Sequence, residues 1–142
     1  MLSYSTRPLF LIGCLCFLLV GSAPAFAQEP KEGYVAKVDP DGVQRVRIEG
    51  GGYFFKPHRI VVKVNVPVEL SASREAGITP HNLVIKAPEA GIAVEEELAT
   101  EVKRIIFTAT AVGRYPFYCS NKLLFFASHR ERGMEGVLEV VP

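Results

Sequence analysis

Short β-branched segments separated by turn residues predict an all-β sandwich for most of this chain, and three observations carry that reading. Arg59-Ile60-Val61-Val62-Lys63-Val64 and Val102 to Ala109 are apolar runs of strand length. Val68-Glu69-Leu70-Ser71-Ala72-Ser73 alternates apolar with polar residues, the period of two expected of a sheet with one wet face. No long stretch holds the 3.6-residue period of an amphipathic helix, and the chain shows no internal repeat or low-complexity tract. At 142 residues it is sized for one domain.

The first 27 residues are expected to lie outside that domain. Arg7 is their only charge, Pro8 to Val20 is an uncharged apolar run, and Ala25-Phe26-Ala27 places small residues where a signal peptidase reads. A bilayer span takes about 20 residues. The run therefore reads as a signal peptide (1–27) cleaved before Gln28, and the product as periplasmic or secreted. The alternatives are an uncleaved anchor starting near Leu9 and a lipoprotein, since Leu11-Ile12-Gly13-Cys14 resembles a lipobox.

Residues 28–52 read as a lead-in and hairpin, and 53–142 as the main domain. Gly33 to Val38 and Val43 to Ile48 flank the turn signal Asp39-Pro40-Asp41-Gly42 and predict a hairpin. Glu49-Gly50-Gly51-Gly52 then predicts a flexible corner. Tyr53-Phe54-Phe55 opens the main domain, and Asn65-Val66-Pro67 turns its first strand into the alternating one. His81 to Lys86 reads as another strand, and Val94 to Leu98 as one helical turn. After the strand in Val102 to Ala109, Gly113 resets the chain before Tyr115 to Cys119, and Gly136 to Val141 closes it.

Without Arg7 the chain holds 15 basic and 15 acidic residues, hence no formal net charge. That argues against nucleic acid, which requires a basic excess or stripe, and against strong long-range steering. No catalytic carboxylate pair, nucleophile triad or phosphate loop stands out, so an enzyme is not expected. Glu95-Glu96-Glu97 reads as a solvated acidic face.

Cysteine usage is more informative. With Cys14 and Cys16 lost in the leader, Cys119 is left alone, unable to form an internal disulfide in an exported protein. Around it, Tyr115 to Gly136 supplies a thiol, the imidazole of His129 and the thioether of Met134 within one short region. Pro80-His81-Asn82 supplies a second imidazole at the head of an apolar run. Two imidazoles, one thiolate and a weak thioether are the ligand set of a mononuclear copper electron-transfer site, whereas zinc favours four strong tetrahedral ligands. His58, ahead of a strand and far from this frame, reads as a surface histidine.

Phe117-Tyr118-Cys119-Ser120, His129-x4-Met134-x-Gly136 and Pro80-His81-Asn82 resemble the ligand motifs of the cupredoxins, over roughly Tyr53 to Pro142. The resemblance implies a Greek-key β-sandwich in which His81, Cys119, His129 and Met134 hold one copper ion. It also implies that Asn82 ties the two ligand loops together, that electrons pass through His129 as the ring nearer the surface, and that donor and acceptor are redox proteins; the chain itself is expected to be a monomer. One feature departs from the pattern. Nine residues separate Cys119 from His129, where plastocyanin-like sequences place only a few, and they include Leu123-Leu124-Phe125-Phe126. That segment reads first as a plug burying itself inside the longer loop, with a docking patch or a membrane-surface contact as alternatives. Rival readings of the whole are a copper-delivery protein without redox cycling and a metal-free β-sandwich interaction module. A binuclear copper domain would need a second cysteine four residues after the first, where Leu123 stands.

Overall fold

The computed structural model describes residues 33–142; the expected signal peptide, 1–27, lies outside them. The described residues fold as two packed sheets with Greek-key connections. Ten strands are formed: β1 (Tyr34–Val35), β2 (Gln44–Gly51), β3 (Phe54–Lys56), β4 (Arg59–Lys63), β5 (Pro67–Arg74), β6 (His81–Ala87), β7 (Ile92–Leu98), β8 (Lys103–Thr108), β9 (Gly113–Tyr118) and β10 (Glu135–Val141). One sheet runs β1-β4-β10-β9-β6-β7 and the other β3-β2-β5-β8.

The alternation in sequence is what closes the core. Val46 and Ile48 of β2, Val68, Leu70 and Ala72 of β5, and Ile105 and Phe107 of β8 are buried from one side. Ile60, Val62, Leu83, Ile85, Phe117, Leu138 and Val140 meet them from the other. Each large side chain removed from water contributes roughly 1.5–3 kcal/mol before entropy is counted. Gln44 is buried too, and its amide is satisfied at the far edge of the core. The Lys63 N–H donates to Oε1 at 2.7 Å, while Nε2 donates to the Lys63 and Val66 carbonyls at 3.2 and 3.3 Å.

Three sequence expectations are corrected. Between the runs at 33–38 and 43–48 the strand pairing is limited to the bridge Val38↔Gln44 beside the turn at Asp39–Gly42. Tyr34 and Val35 instead pair in parallel with Ile60 and Val61, and β2 pairs in parallel with β5. The two runs thus feed different sheets, because each finds a longer apolar partner there than in the other. Gly50 and Gly51 are not a corner: they continue β2 and pair with Phe55 and Phe54. Val94 to Leu98 is strand, part of β7 along the whole of β6, and the local helical geometry is a single 3-10 turn at Pro88–Ala90. Among the described residues no helix is long and apolar enough to cross a membrane.

The register fixes one end of the sandwich as a meeting place. β9 leads into Cys119, β10 begins just after Met134, and β6 begins at His81. The antiparallel pairing of β9 with β10 and β6 therefore collects all three chain segments at the same sheet end.

Candidate metal centre

The residues that sequence reasoning singled out fall at that end. Cys119 follows β9 by one residue, and its N–H donates to the Met134 carbonyl at 3.0 Å. Met134 in turn donates its N–H to the His129 carbonyl, and His129 donates its own to Asn121, both at 2.9 Å. The 120–133 loop is thus laced to itself at its base even though its middle is long. Gly136 shows why the motif ends in glycine: a Cβ there would overlap the Phe117 ring and the His58 carbonyl. That close approach lets the Val137 N–H reach His58 O at 2.9 Å and seats β10 beside β4.

His81, Cys119 and His129 converge, all buried, with their donor atoms within 4.8 Å of one another. Nδ1 of His81 lies 3.1 Å from Nδ1 of His129, and Cys119 Sγ lies 3.9 and 3.4 Å from these two nitrogens. The point equidistant from the three atoms is about 2.0 Å from each, a metal–imidazole bond length and a few tenths short of a metal–thiolate bond. One soft sulfur and two imidazole nitrogens arranged so fit a cation. Met134 is fully buried on the same loop, its methyl packed at Gly50, where a Cβ would come within 3.0 Å of Cε. His58 is exposed, as expected.

Asn82 connects the two ligand segments. Its side chain donates from Nδ2 to Ser120 Oγ and accepts from the Ser120 N–H, each at 2.8 Å, and its backbone N–H points at Cys119 Sγ at 3.4 Å. Burial pushes the Cys119 thiol up from its ordinary value, opposed by the backbone N–H groups of Asn82 and Asn121. Burial holds both histidines below the ordinary imidazole range; the neighbouring His129 and then Arg74 add to this at His81, and Arg132 at His129. A neutral imidazole and a deprotonated sulfur are the forms that bind a metal.

Sequence reasoning missed Tyr53. It adopts a left-handed backbone (φ 67°) in the β2–β3 turn, and its ring meets His129 edge-on with centroids 5.0 Å apart. The Arg132 guanidinium lies over that ring, 4.9 Å from its centroid, and donates to the Tyr53 hydroxyl at 3.1 Å. The three-glycine run just before it was the available signal, because the turn at Gly52 is what swings Tyr53 over the loop. Residue exposure alone does not separate His129 from His81 as the ring nearer the surface. Each histidine is 5% exposed. His129 lines a groove of about 660 Å³ walled by Tyr53, Ile78, Pro80, Leu123 and Phe126, and His81 lines a smaller one beside Arg74 and Gly51.

The expected loop plug is overturned. Leu123, Leu124, Phe125 and Phe126 are 65, 76, 83 and 46% exposed. Phe117, Leu138 and Met134 already fill the sandwich core, and Leu123 and Phe126 line the groove beside His129 instead.

The sequence matches no protein-family model and no curated protein. Known structures do match the fold. The metal-binding domain of the Cu(I)-exporting P-type ATPase CopA of Streptococcus pneumoniae superposes with a TM-score of 0.61 at 21% identity, covering 78% of this chain and 97% of that one. A copper-binding protein solved in its apo form gives 0.57 at 23% identity, covering 78% and 98%. Auracyanin A, a blue copper protein of Chloroflexus aurantiacus, gives 0.52 at 19%, covering 70% and 100%. The fold is a cupredoxin-like β-sandwich. In it the thiol and the two imidazoles meet at the end of the sandwich where β6, β9 and β10 come together.

Proposed function

We propose that this cupredoxin-like protein is an exported, mononuclear copper protein that passes single electrons between redox proteins, with His81, Cys119, His129 and Met134 as its ligands. The observation that carries the reading is the Sγ–Nδ1–Nδ1 triangle and its match to metal-bond lengths. A copper ion held there would supply one-electron Cu(I)/Cu(II) chemistry. The chain's own contribution is to keep the donors in place. Backbone bonds tie Cys119 to Met134 and Met134 to His129, and Asn82 spans to Ser120, so the ligand positions are set by the fold rather than by the cation. Tyr53, Pro80 and the apolar wall of the groove keep bulk water from the His129 ring. The protein has no catalytic role in this reading; donor and acceptor approach the ligand end.

A second reading, copper delivery without redox cycling, is favoured by the likeness to the metal-binding domain of a Cu(I) exporter. Adding Cu(II) to purified protein and recording the visible spectrum tests the first. Strong thiolate-to-copper absorption is expected, lost in Cys119→Ser; a colourless or zinc-only protein would overturn it. Reversible voltammetry of the copper form is expected for a carrier, and rapid surrender of Cu(I) to a competing chelator without a reversible wave for a delivery protein.

A further inference from the structure

Resting on the copper reading above, which makes His129 a ligand, we propose that Tyr53 is the positioning residue of the His129 ring. It does by ring packing what a hydrogen bond usually does for a metal-bound imidazole. The main chain of His129 is already fixed: its N–H donates to Asn121 at 2.9 Å, and its carbonyl accepts from Met134 and Arg132 at 2.9 and 3.1 Å. Those bonds leave the ring free to turn about its own side-chain torsions. A ligating histidine is normally held against such rotation by donating its second ring N–H to a carboxylate, a carbonyl or water. Here the polar contacts of both buried imidazoles are made by Nδ1, the atoms at two corners of the triangle. Among the described residues no group accepts from Nε2 of His129. Its orientation therefore falls to packing.

Tyr53 supplies that packing. Its ring meets His129 at an interplanar angle of 78° with centroids 5.0 Å apart, the edge-on arrangement that aromatic pairs favour. The other ring against His129 is His81, at 4.9 Å, which is itself a ligand and so gives no independent hold. Tyr53 is in turn held by the loop it steadies. Arg132, three residues after His129, lies 4.9 Å from the Tyr53 centroid and donates to its hydroxyl at 3.1 Å. The β2–β3 turn of one sheet is thereby fastened to the ligand loop between β9 and β10 of the other. The backbone carries a second, independent sign. Tyr53 sits at φ 67°, directly after Gly52 at φ 45°. A bulky residue takes that left-handed conformation at a cost which glycine or asparagine largely avoids. Non-glycine residues kept there cluster at functional sites. Tyr53 is only partly buried, so closing the core does not by itself account for it. What the strained turn secures is a ring against His129.

Three variants test this. Tyr53→Asn and Tyr53→Gly accept the left-handed backbone and remove the ring; Tyr53→Phe keeps the ring and removes only the hydroxyl. The chain holds three histidines, so their ring signals can be followed one by one by NMR in histidine-labelled protein. In metal-free wild type and Tyr53→Phe, His129 should give one sharp set of signals. In the two ringless variants that set should broaden or double, while the exposed His58 stays unchanged. Copper retention against a chelator should fall roughly tenfold in the ringless variants and stay within about twofold of wild type in Tyr53→Phe. A single His129 set with undiminished copper retention in a folded ringless variant would overturn the inference. An equal loss in Tyr53→Phe would overturn it too, assigning the effect to the bond with Arg132. Failure of both ringless variants to fold would show that Tyr53 holds the domain rather than the ring, which also overturns it. The NMR signals need no metal. A wild type that binds no copper therefore fails the copper reading, whereas a copper-binding wild type with unaltered ringless variants fails this inference alone.

Discussion

Asn82 holds Cys119 from two directions: its backbone N–H points at Sγ from 3.4 Å while its side chain clamps Ser120, the next residue, through two 2.8 Å bonds. The first bond survives any substitution that keeps the backbone; the clamp does not. Asn82→Ala should cost about 1–2 kcal/mol in the unfolding free energy of the metal-free protein. It should also weaken copper retention by about 10–100-fold against a chelator. Unchanged copper affinity in a folded N82A protein would show that the clamp does not position the sulfur.

Gly136 tests how closely the final strand must pass the rest of the fold. A methyl group there meets the Phe117 ring and the His58 carbonyl at once, and the carbonyl belongs to backbone that cannot swing aside. Gly136→Ala is expected to destabilise by about 1–3 kcal/mol in denaturant unfolding.

The two buried imidazoles predict a pH dependence for the metal-free protein. Both are held below the ordinary value of 6.5 in the folded state, so the unfolded chain takes up protons first. Stability is complete above pH 6.5 and falls as pH drops through 6.5 towards the lower folded values. Denaturation midpoints measured between pH 7.5 and 5 should decline, and His81→Gln with His129→Gln should flatten that decline. Copper bound to the neutral rings should move the loss to lower pH.

Met134 is proposed as a weak axial ligand. Met134→Leu keeps the volume of a fully buried side chain and removes the sulfur, so copper should be retained and the reduction potential should rise. Loss of copper in this variant would assign Met134 a stronger role; an unchanged potential would remove it from the site.

Sequence alone carried the chemistry and much of the strand pattern. The convergence of a lone thiol and two imidazoles is legible because few residue types offer such donors, and period-two alternation in β5 is legible because a half-buried strand imposes it locally. Partnering was not legible. Nothing in Tyr34-Val35 says that it pairs with β4 rather than with β2, because pairing depends on which edge the rest of the fold leaves open. The same holds for Glu95-Glu96-Glu97: three acids in a row look helical or loop-like, yet the hydrogen bonds of β6 hold them extended at a sheet edge. Tyr53 reached His129 only because the Gly52 turn swung it there. Leu123 to Phe126 had the composition of a buried plug, yet they stand exposed outside the packed core. Burial of a strand residue follows from its neighbours in sequence, whereas burial of a loop residue depends on space that distant segments have already filled.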